Sequence, residues 1–183
     1  MIDSIFDSFS NPKYFTTLDL RNDYWEIPLQ ECDKHKTAFN PALGLGKFEF
    51  NVLPFGMANA PASFKCLMNS VLIDLTYCQC YLDDIIVYSD SIESHLQHVN
   101  EVLKRLSENG LKLKVLKCAF ACTQIKYLGF LISESQIEAD LVEIEGLSQC
   151  KIPSNIKELQ SFLGSCNVYS RFIKNYSHHF TSL

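Results

Sequence analysis

The chain has 183 residues, of which 47% are hydrophobic and 20% charged, with only seven glycines and six prolines. This composition is that of a globular protein and excludes a disordered or low-complexity chain. The formal net charge of −5 argues against a self-sufficient nucleic-acid binder, because neutralising phosphates requires clustered lysines and arginines.

The first predicted elements are a strand and a helix separated by loops. Residues 13–18 are rich in aromatic and β-branched side chains and predict a strand that ends at Asp19. Residues 24–53 predict loops with one or two short antiparallel strands. Asn59 can then cap a helix, Pro61 fits its first turn, and an apolar stripe predicts that it faces the core. The stripe consists of Phe64, Leu67, Met68, Val71, Leu72 and Leu75.

Residues 77–88 predict two strands around the adjacent acids Asp83 and Asp84. Unpaired ionised carboxylates lose free energy on leaving water, so we expect this pair at a hairpin tip or on a divalent cation. Residues 90–93 resemble a capping box that begins a helix, which Asn109-Gly110 ends. The apolar spacing of this helix is set by Ile92, Leu96, Val99, Leu103 and Leu106.

The same helix carries two histidines one turn apart. His95 and His98 have no third metal ligand nearby in the sequence, so we interpret them as a solvated helix face and not as a metal pair. Short strands are predicted again between residues 111 and 132, where Gly129 marks a close approach of the backbone.

The last part of the sequence predicts helix. Asn155 and Glu158 can cap a helix, and Gly164 is expected to interrupt it. The mixture of strands and helices, without a regular βαβ repeat, predicts an α+β fold: an antiparallel sheet with helices packed on one face, followed by a small helical subdomain. We place the boundary between residues 1–150 and residues 151–183.

The N-terminal sequence has no basic start and no long apolar run, and no window approaches about 18 consecutive apolar residues. We therefore expect an intracellular protein, cytoplasmic or nuclear, that has no membrane partner. Its eight cysteines are then reduced core residues, since disulfides are rare in a reducing compartment. The sequence contains no Cys-x-x-Cys spacing, so it gives no support for a structural zinc site.

The acidic residues predict a site for metal-dependent phosphoryl transfer. Magnesium takes oxygen ligands, one or two of them carboxylates, and keeps waters or substrate phosphates. Two ions about 3.5 to 4 Å apart need more than one adjacent pair of acids, so a third carboxylate is required. Asp19 is the best candidate, because it ends a strand just before a turn and can face the hairpin of Asp83 and Asp84. The alternative is that Asp19 only caps the segment that follows it.

Several short motifs follow one another along nearly the whole chain. They are Tyr14 to Leu20 with Tyr24 to Leu29, Lys36 to Phe39, Phe50 to Met57 with Asn59 to Phe64, Tyr81 to Ser89, Gly110 to Cys118, Tyr127 to Gly129, and Glu158 to Gly164. In this order they resemble the reverse transcriptases of gypsy-class long-terminal-repeat retrotransposons. Residues 14–29 resemble the first catalytic motif of that family and residues 81–89 the second. So many motifs in one order argue against a chance match.

The resemblance implies a polymerase palm in residues 1–150 and a helical thumb or connection segment in residues 151–183. It implies an RNA-directed DNA polymerase that transfers a dNTP to a primer 3′-hydroxyl on an RNA or DNA template. Asp19, Asp83 and Asp84 would bind two Mg²⁺ ions, with Mn²⁺ as an alternative. Other segments of a Pol polyprotein would be further partners.

The resemblance also assigns substrate-contacting residues. Leu20 would lend a backbone carbonyl, and the ring of Tyr24 would lie under the sugar and exclude a ribose 2′-hydroxyl, although an ordinary core tyrosine is the alternative. Phe55 and Gly56 would lie near the incoming nucleotide, where a residue without Cβ lets the backbone approach the substrate. Tyr81 would complete the substrate-binding set.

Two further assignments follow from the resemblance. Tyr127, Leu128 and Gly129 would grip the primer end. Lys117 would protonate the leaving pyrophosphate, with a phosphate-facing or solvated lysine as the equal alternative.

Departures from the family pattern leave a second hypothesis open. Asp23 stands where the family usually has Gly, and Glu26 where it usually has Gln, while the fingers region that precedes the family's palm is not matched. A carboxylate at position 23 would repel a triphosphate. The chain is then an active polymerase fragment or an inactive truncated or domesticated remnant that at most binds nucleic acid or protein. Another palm-type nucleotidyl transferase, such as a cyclase, would need nucleotide motifs that the sequence lacks.

Overall fold

The computed structural model describes residues 12–21, 23–42, 44–134, 136–176 and 178. The chain folds as two compact units that meet in sequence between Thr123 and Gln124. The predicted boundary at residue 150 separates functional subdomains and stays a prediction. No helix in the described part of the chain is long and apolar enough to cross a membrane.

The described strands belong to two antiparallel sheets, one in each unit. The first sheet has the order β2-β3-β1-β4 and the second the order β5-β6-β7. The strands are β1 (Tyr14–Asp19), β2 (Cys78–Tyr81), β3 (Asp84–Ser89), β4 (Ala119–Cys122), β5 (Gln124–Tyr127), β6 (Phe130–Ser133) and β7 (Ile137–Ala139).

The described helices lie between and after these strands, which confirms the predicted α+β class. They are α1 (Glu31–Lys34), α2 (Ala60–Val71), α3 (Ile92–Glu108), α4 (Leu141–Ser148) and α5 (Ile156–Val168). Short 3₁₀ turns occupy Asp23–Glu26, His35–Thr37, Val115–Lys117 and Ser170–Phe172.

One face of the first sheet packs against α2 and α3. Alternate strand residues point to the same face of a sheet, and Leu18, Ile85 and Val87 share this face in the observed register. They form a continuous buried core with Phe64 and Met68 of α2. The predicted apolar stripe of α2 is therefore confirmed, although Asn59 occupies the N-cap position without a side-chain cap bond.

Helix α3 exists as predicted, but its buried face is different. Its cap is Ser91, whose Oγ accepts a hydrogen bond from the Ser94 backbone N–H at 3.2 Å. Leu96, which was expected in the apolar stripe, is 63% exposed, whereas His95 is only 1% exposed. The interpretation of His95 as part of a solvated face is thus wrong, because hydrogen bonds to the sheet compensate its burial.

The hydrogen bonds around His95 join the two central strands of the sheet, β1 and β3, to α3. His95 Nε2 lies 2.7 Å from Thr16 Oγ1, and His95 Nδ1 lies 3.0 Å from Ser89 Oγ. Ser89 Oγ also lies 2.7 Å from His98 Nδ1, and the His98 ring stacks on Tyr77 with 3.6 Å between ring centroids. Burial, the largest cause in each case, lowers the pKa of both histidines below its ordinary value.

In the second unit, α5 begins as predicted but does not break at the predicted place. Asn155 Oδ1 accepts a hydrogen bond from the Glu158 N–H at 2.9 Å, which confirms the cap. Gly164 was expected to interrupt the helix, yet α5 continues to Val168. A single glycine costs a helix only about 1 kcal/mol relative to alanine, so the surrounding turns can carry it.

The buried His95 and the half-buried His98 predict that the protein loses stability in mild acid. Their pKa values are lower in the folded than in the unfolded state, so below about pH 6.5 the unfolded state binds protons that the folded state does not yet take up. The free energy of unfolding should therefore fall as the pH drops from 6.5 toward the folded-state pKa values. Replacing His95→Gln should reduce this slope, measured by urea unfolding at a series of pH values.

The matched control for this experiment is His35→Gln, which removes an exposed histidine outside the network. It should keep the wild-type slope, and an unchanged slope in His95→Gln would contradict the prediction.

Candidate active site

The hairpin between β2 and β3 presents the two adjacent acids. Tyr81 pairs with Asp84, so Leu82 and Asp83 form a two-residue turn. Leu82 has a φ of 56°, a left-handed conformation that is uncommon for a residue other than glycine. Such strained residues cluster at functional sites, where the surrounding structure holds them in place. Asp83 thus lies at the tip of a tight hairpin, as the sequence predicted.

Asp19 reaches the same hairpin across the sheet. It is the direct partner of Asp84 in the antiparallel pairing of β1 with β3. Residues directly opposite each other in such a pair project to the same face, with Cβ atoms about 4.5 to 5.5 Å apart. That face is the one opposite the helix-covered core, because Leu18 and Ile85 point the other way. The fold therefore brings Asp19 beside Asp84 at one end of the sheet.

Two lysines contact the Asp19 carboxylate. Lys114 Nζ lies 3.3 Å from Oδ1, and Lys117 Nζ lies 3.6 Å from Oδ2. Oδ1 is nevertheless a buried oxygen without a hydrogen-bond partner, since the Lys114 ammonium is within ion-pair distance but lacks hydrogen-bond geometry. Buried acceptors are normally satisfied, so an orphaned carboxylate oxygen is a position where a ligand would be favourable.

The donor set fits a magnesium ion. Asp19, Asp83 and Asp84 offer hard carboxylate oxygens, and Asp19 Oδ1 has no hydrogen-bond partner. Among the described residues, no three His, Cys, Asp or Glu side chains form a ready-made ion cage. Magnesium does not require one, because it binds through one or two carboxylates and completes its shell with waters and substrate phosphates. The assignment of the three aspartates as metal ligands stays a prediction.

Cys80 supports the turn from the core side. Its thiol donates a hydrogen bond to the Leu82 carbonyl, with 3.0 Å between Sγ and O. Burial, followed by the negative charges of Asp83 and Asp84, raises the pKa of Cys80 to about 12. The thiol therefore stays protonated at neutral pH, and it does not add a soft thiolate ligand to the oxygen donors.

Tyr24 and Phe55, two of the predicted substrate contacts, lie together. The Tyr24 ring meets Phe64 of the core edge-on at 5.6 Å between centroids and Phe55 at 5.4 Å. Tyr24 is thus partly buried and anchored from the core side, while Phe55 is exposed. Gly56 has a φ of 90°, a backbone conformation that favours glycine. A Cβ added there would meet no other atom. The roles of these residues toward a nucleotide, and that of Tyr81, stay predictions.

Glu26 is a structural residue that the sequence did not reveal. Its two carboxylate oxygens accept hydrogen bonds from the Lys112 backbone N–H at 3.1 and 3.2 Å. The Arg21 N–H donates to the carbonyl of the same Lys112 at 2.7 Å, and Leu20 forms a bridge with Leu113. These contacts fix the chain that leaves β1 directly after Asp19.

Lys117 ends the 3₁₀ turn Val115–Lys117 beside Asp19. Its side chain is 63% exposed, so it can move toward a ligand in solvent. The structure therefore brings this predicted residue to the acidic site. Its role as a proton donor stays a prediction.

The predicted primer grip forms a second tight hairpin, in the second unit. Tyr127 pairs with Phe130, and the turn residues Leu128 and Gly129 have φ values of 52° and 80°. A Cβ on Gly129 would lie only 3.0 Å from Tyr169 Oη, which confirms the predicted close approach at this glycine. The role of the hairpin toward a primer stays a prediction.

Two glycines of the second unit should respond in opposite ways to the same change. Gly129→Ala places a Cβ against Tyr169 at a positive φ, so it should lower the free energy of unfolding by about 1–3 kcal/mol. Gly164→Ala lies inside α5 with open space around it, so it should raise that energy by about 0.5–1 kcal/mol. Chemical unfolding of both variants measures the difference, and equal effects would contradict this assignment.

Comparisons with known proteins agree with the fold. Residues 3–132 match the family described as reverse transcriptase (RNA-dependent DNA polymerase). The chain therefore belongs to the reverse transcriptase family.

Similar curated sequences come from retrotransposons. The Pol polyprotein of the transposon opus from Drosophila melanogaster is 38% identical over 178 residues, covering 96% of this chain and 18% of the polyprotein. The transposon Tf2-3 polyprotein of Schizosaccharomyces pombe is 36% identical over 175 residues, covering 94% of this chain and 13% of that protein. The chain thus spans less than a fifth of the length of these relatives.

Similar solved structures come from a foamy virus. Its protease-reverse transcriptase in complex with double-stranded DNA matches with a TM-score of 0.81 and 29% identity, over 91% of this chain and 29% of the viral chain. The same enzyme with an RNA/DNA hybrid matches with a TM-score of 0.73 and 28% identity, over 86% of this chain and 21% of that chain. These matches confirm the predicted palm fold.

Proposed function

We propose that this chain forms the catalytic palm of an RNA-directed DNA polymerase that transfers a deoxynucleotide to a primer 3′-hydroxyl with two divalent metal ions. The observation that carries the proposal is the pairing of Asp19 with Asp84, next to Asp83 in a strained turn. In a chain of the reverse transcriptase family, this arrangement supports the assignment of the three aspartates as the ligands of Mg²⁺ or Mn²⁺.

Each residue of the site has its own role in the proposed reaction. Asp19, Asp83 and Asp84 hold the metal ions, which when bound activate the attacking hydroxyl and stabilise the leaving oxygen. Leu20 follows Asp19 directly and supplies a backbone carbonyl. Lys117 lies close enough to Asp19 to approach the leaving pyrophosphate and give it a proton.

The partners follow from the same proposal. The foamy virus neighbours are complexes with double-stranded DNA and with an RNA/DNA hybrid, which supports a primer paired with an RNA or DNA template as the partner of this chain. We further propose that Tyr127, Leu128 and Gly129 grip the primer, that other Pol polyprotein segments cooperate with the palm, and that the protein acts inside the cell.

An inactive remnant is the second candidate. The observations that favour it are the net charge of −5 and the carboxylate of Asp23, which stands where the family usually has Gly. A chain with a net negative charge gives up much of the affinity that phosphate contacts supply. Such a remnant would bind nucleic acid or protein without turnover.

Primer extension separates the two candidates. With a labelled DNA primer on an RNA template, dNTPs and Mg²⁺, the wild-type chain should extend the primer, while Asp83→Asn should lower the rate by about a hundredfold or more because a metal ligand is lost. Asp90→Asn is the matched control, since it removes an exposed carboxylate just beyond the opposite end of β3. Equal extension by wild type and Asp83→Asn would refute the enzyme proposal.

The choice between deoxynucleotides and ribonucleotides tests Tyr24. Tyr24→Val removes the ring that Phe64 and Phe55 hold in place, so incorporation of ribonucleotides relative to deoxynucleotides should rise by about tenfold or more. Tyr24→Phe keeps the ring and should keep the discrimination. Single-nucleotide extension with each substrate measures the ratio. If Tyr24→Val discriminates as well as the wild type, Tyr24 acts only as a core residue.

A further inference from the structure

We infer that Lys114 is a positioning residue of the acidic site: its ammonium group balances the charge of Asp19 in the metal-free protein and competes there with the divalent ion. The inference rests on the proposed metal site. It assigns a function to a lysine for which the sequence analysis predicted no separate role.

Lys114 is tied to Asp19 at two separate points. Its backbone N–H donates to the Asp19 carbonyl at 2.9 Å, which fixes the two chains against each other. Its ammonium lies 3.3 Å from Asp19 Oδ1, the buried oxygen without a hydrogen-bond partner. The side chain of Lys114 is 34% exposed, so it is more shielded from solvent than that of Lys117, at 63%.

The site needs a positive charge even without metal. Asp19 and Asp84 stand directly opposite each other, and like charges in such a cross-strand pair are destabilising. A cation next to Asp19 offsets that repulsion. Lys117 contributes less, because its ammonium is farther from the carboxylate and better screened by water.

The positive charge of Lys114 opposes the binding of a metal ion at Asp19. Lys114 places its ammonium at the carboxylate oxygen that is otherwise best suited to coordinate an ion. Binding of the ion then requires Lys114 to move away or to stay at a cost in Coulomb repulsion. Lys114 therefore stabilises the metal-free site and weakens its affinity for metal.

The backbone and side-chain contacts of Lys114 can be separated by substitution. Lys114→Met removes the charge and keeps an aliphatic stem and the N–H that bonds Asp19, while Lys114→Arg keeps the charge. Lys104→Met is the matched control for net charge, since Lys104 lies exposed on α3. Lys114→Gln serves as a second charge-removing variant if Lys114→Met fails to fold.

The first measurement is the binding of Mn²⁺ alone, by titration calorimetry or by the electron paramagnetic resonance signal of free Mn²⁺, without nucleotide or nucleic acid. Lys114→Met should bind Mn²⁺ about three- to tenfold more tightly than the wild type, because a competing cation is removed. Lys114→Arg and Lys104→Met should bind Mn²⁺ as the wild type does.

The second measurement is thermal unfolding in EDTA and in saturating Mn²⁺. Lys114→Met should unfold at a lower temperature than the wild type in EDTA. Mn²⁺ should raise the unfolding temperature of Lys114→Met by more than it raises that of the wild type, because tighter binding to the folded state adds more stability. A merely structural lysine would lower both temperatures equally.

The outcomes distinguish this inference from the proposed function. If Lys114→Met binds Mn²⁺ equally or more weakly while the wild type binds and Asp83→Asn does not, the metal site stands and the inference about Lys114 is overturned. If wild type and Asp83→Asn show the same Mn²⁺ binding, the proposed metal site fails and the inference fails with it.

Discussion

The antiparallel pairing of β1 with β3 is the constraint on which the site depends. Asp19 and the hairpin acids are far apart in the sequence, and only this register makes Asp19 the direct partner of Asp84. Side chains alternate between the faces of a strand, so a slip of one residue would turn Asp19 toward the helix-covered core and Leu18 away from it. The burial of Leu18, Ile85 and Val87 against α2 and α3 therefore also positions the carboxylates on the other face.

Polar contacts hold β1 at both of its ends. Near the start of the strand, Thr16 Oγ1 accepts a hydrogen bond from Ala121 N–H at the irregularity between β1 and β4, and it also contacts His95. After the end of the strand, Arg21 bonds Lys112, and Glu26 bonds the same residue. Apolar packing alone permits sliding between similar contacts, whereas these directional bonds are satisfied in one register only.

The sequence predicted what depends on local pattern. The stripe of α2, the existence of α3 and the tight turn at Asp83 each follow from residues within a few positions of one another. The buried face of α3 did not follow, because His95 is satisfied by Thr16, 79 residues away, while the apolar Leu96 remains in solvent. The contacts of Lys114 and Glu26 were missed for the same reason, since their partners become neighbours only when the sheet forms. Asp19 was placed in one site with Asp83 and Asp84 because two metal ions require a third carboxylate. The pairing of Asp19 with Asp84 supports this placement.

The structure also changes the weight of one departure from the family pattern. Glu26 stands where the family usually has Gln, and in the sequence analysis this departure was one of those that left the hypothesis of an inactive remnant open. Both of its carboxylate oxygens accept the Lys112 N–H, and a glutamine would offer only one oxygen to that donor. Because this contact braces the chain that follows Asp19, a glutamate at position 26 supports the site. The case for an inactive remnant then depends on Asp23 and on the net negative charge of the chain, and not on Glu26.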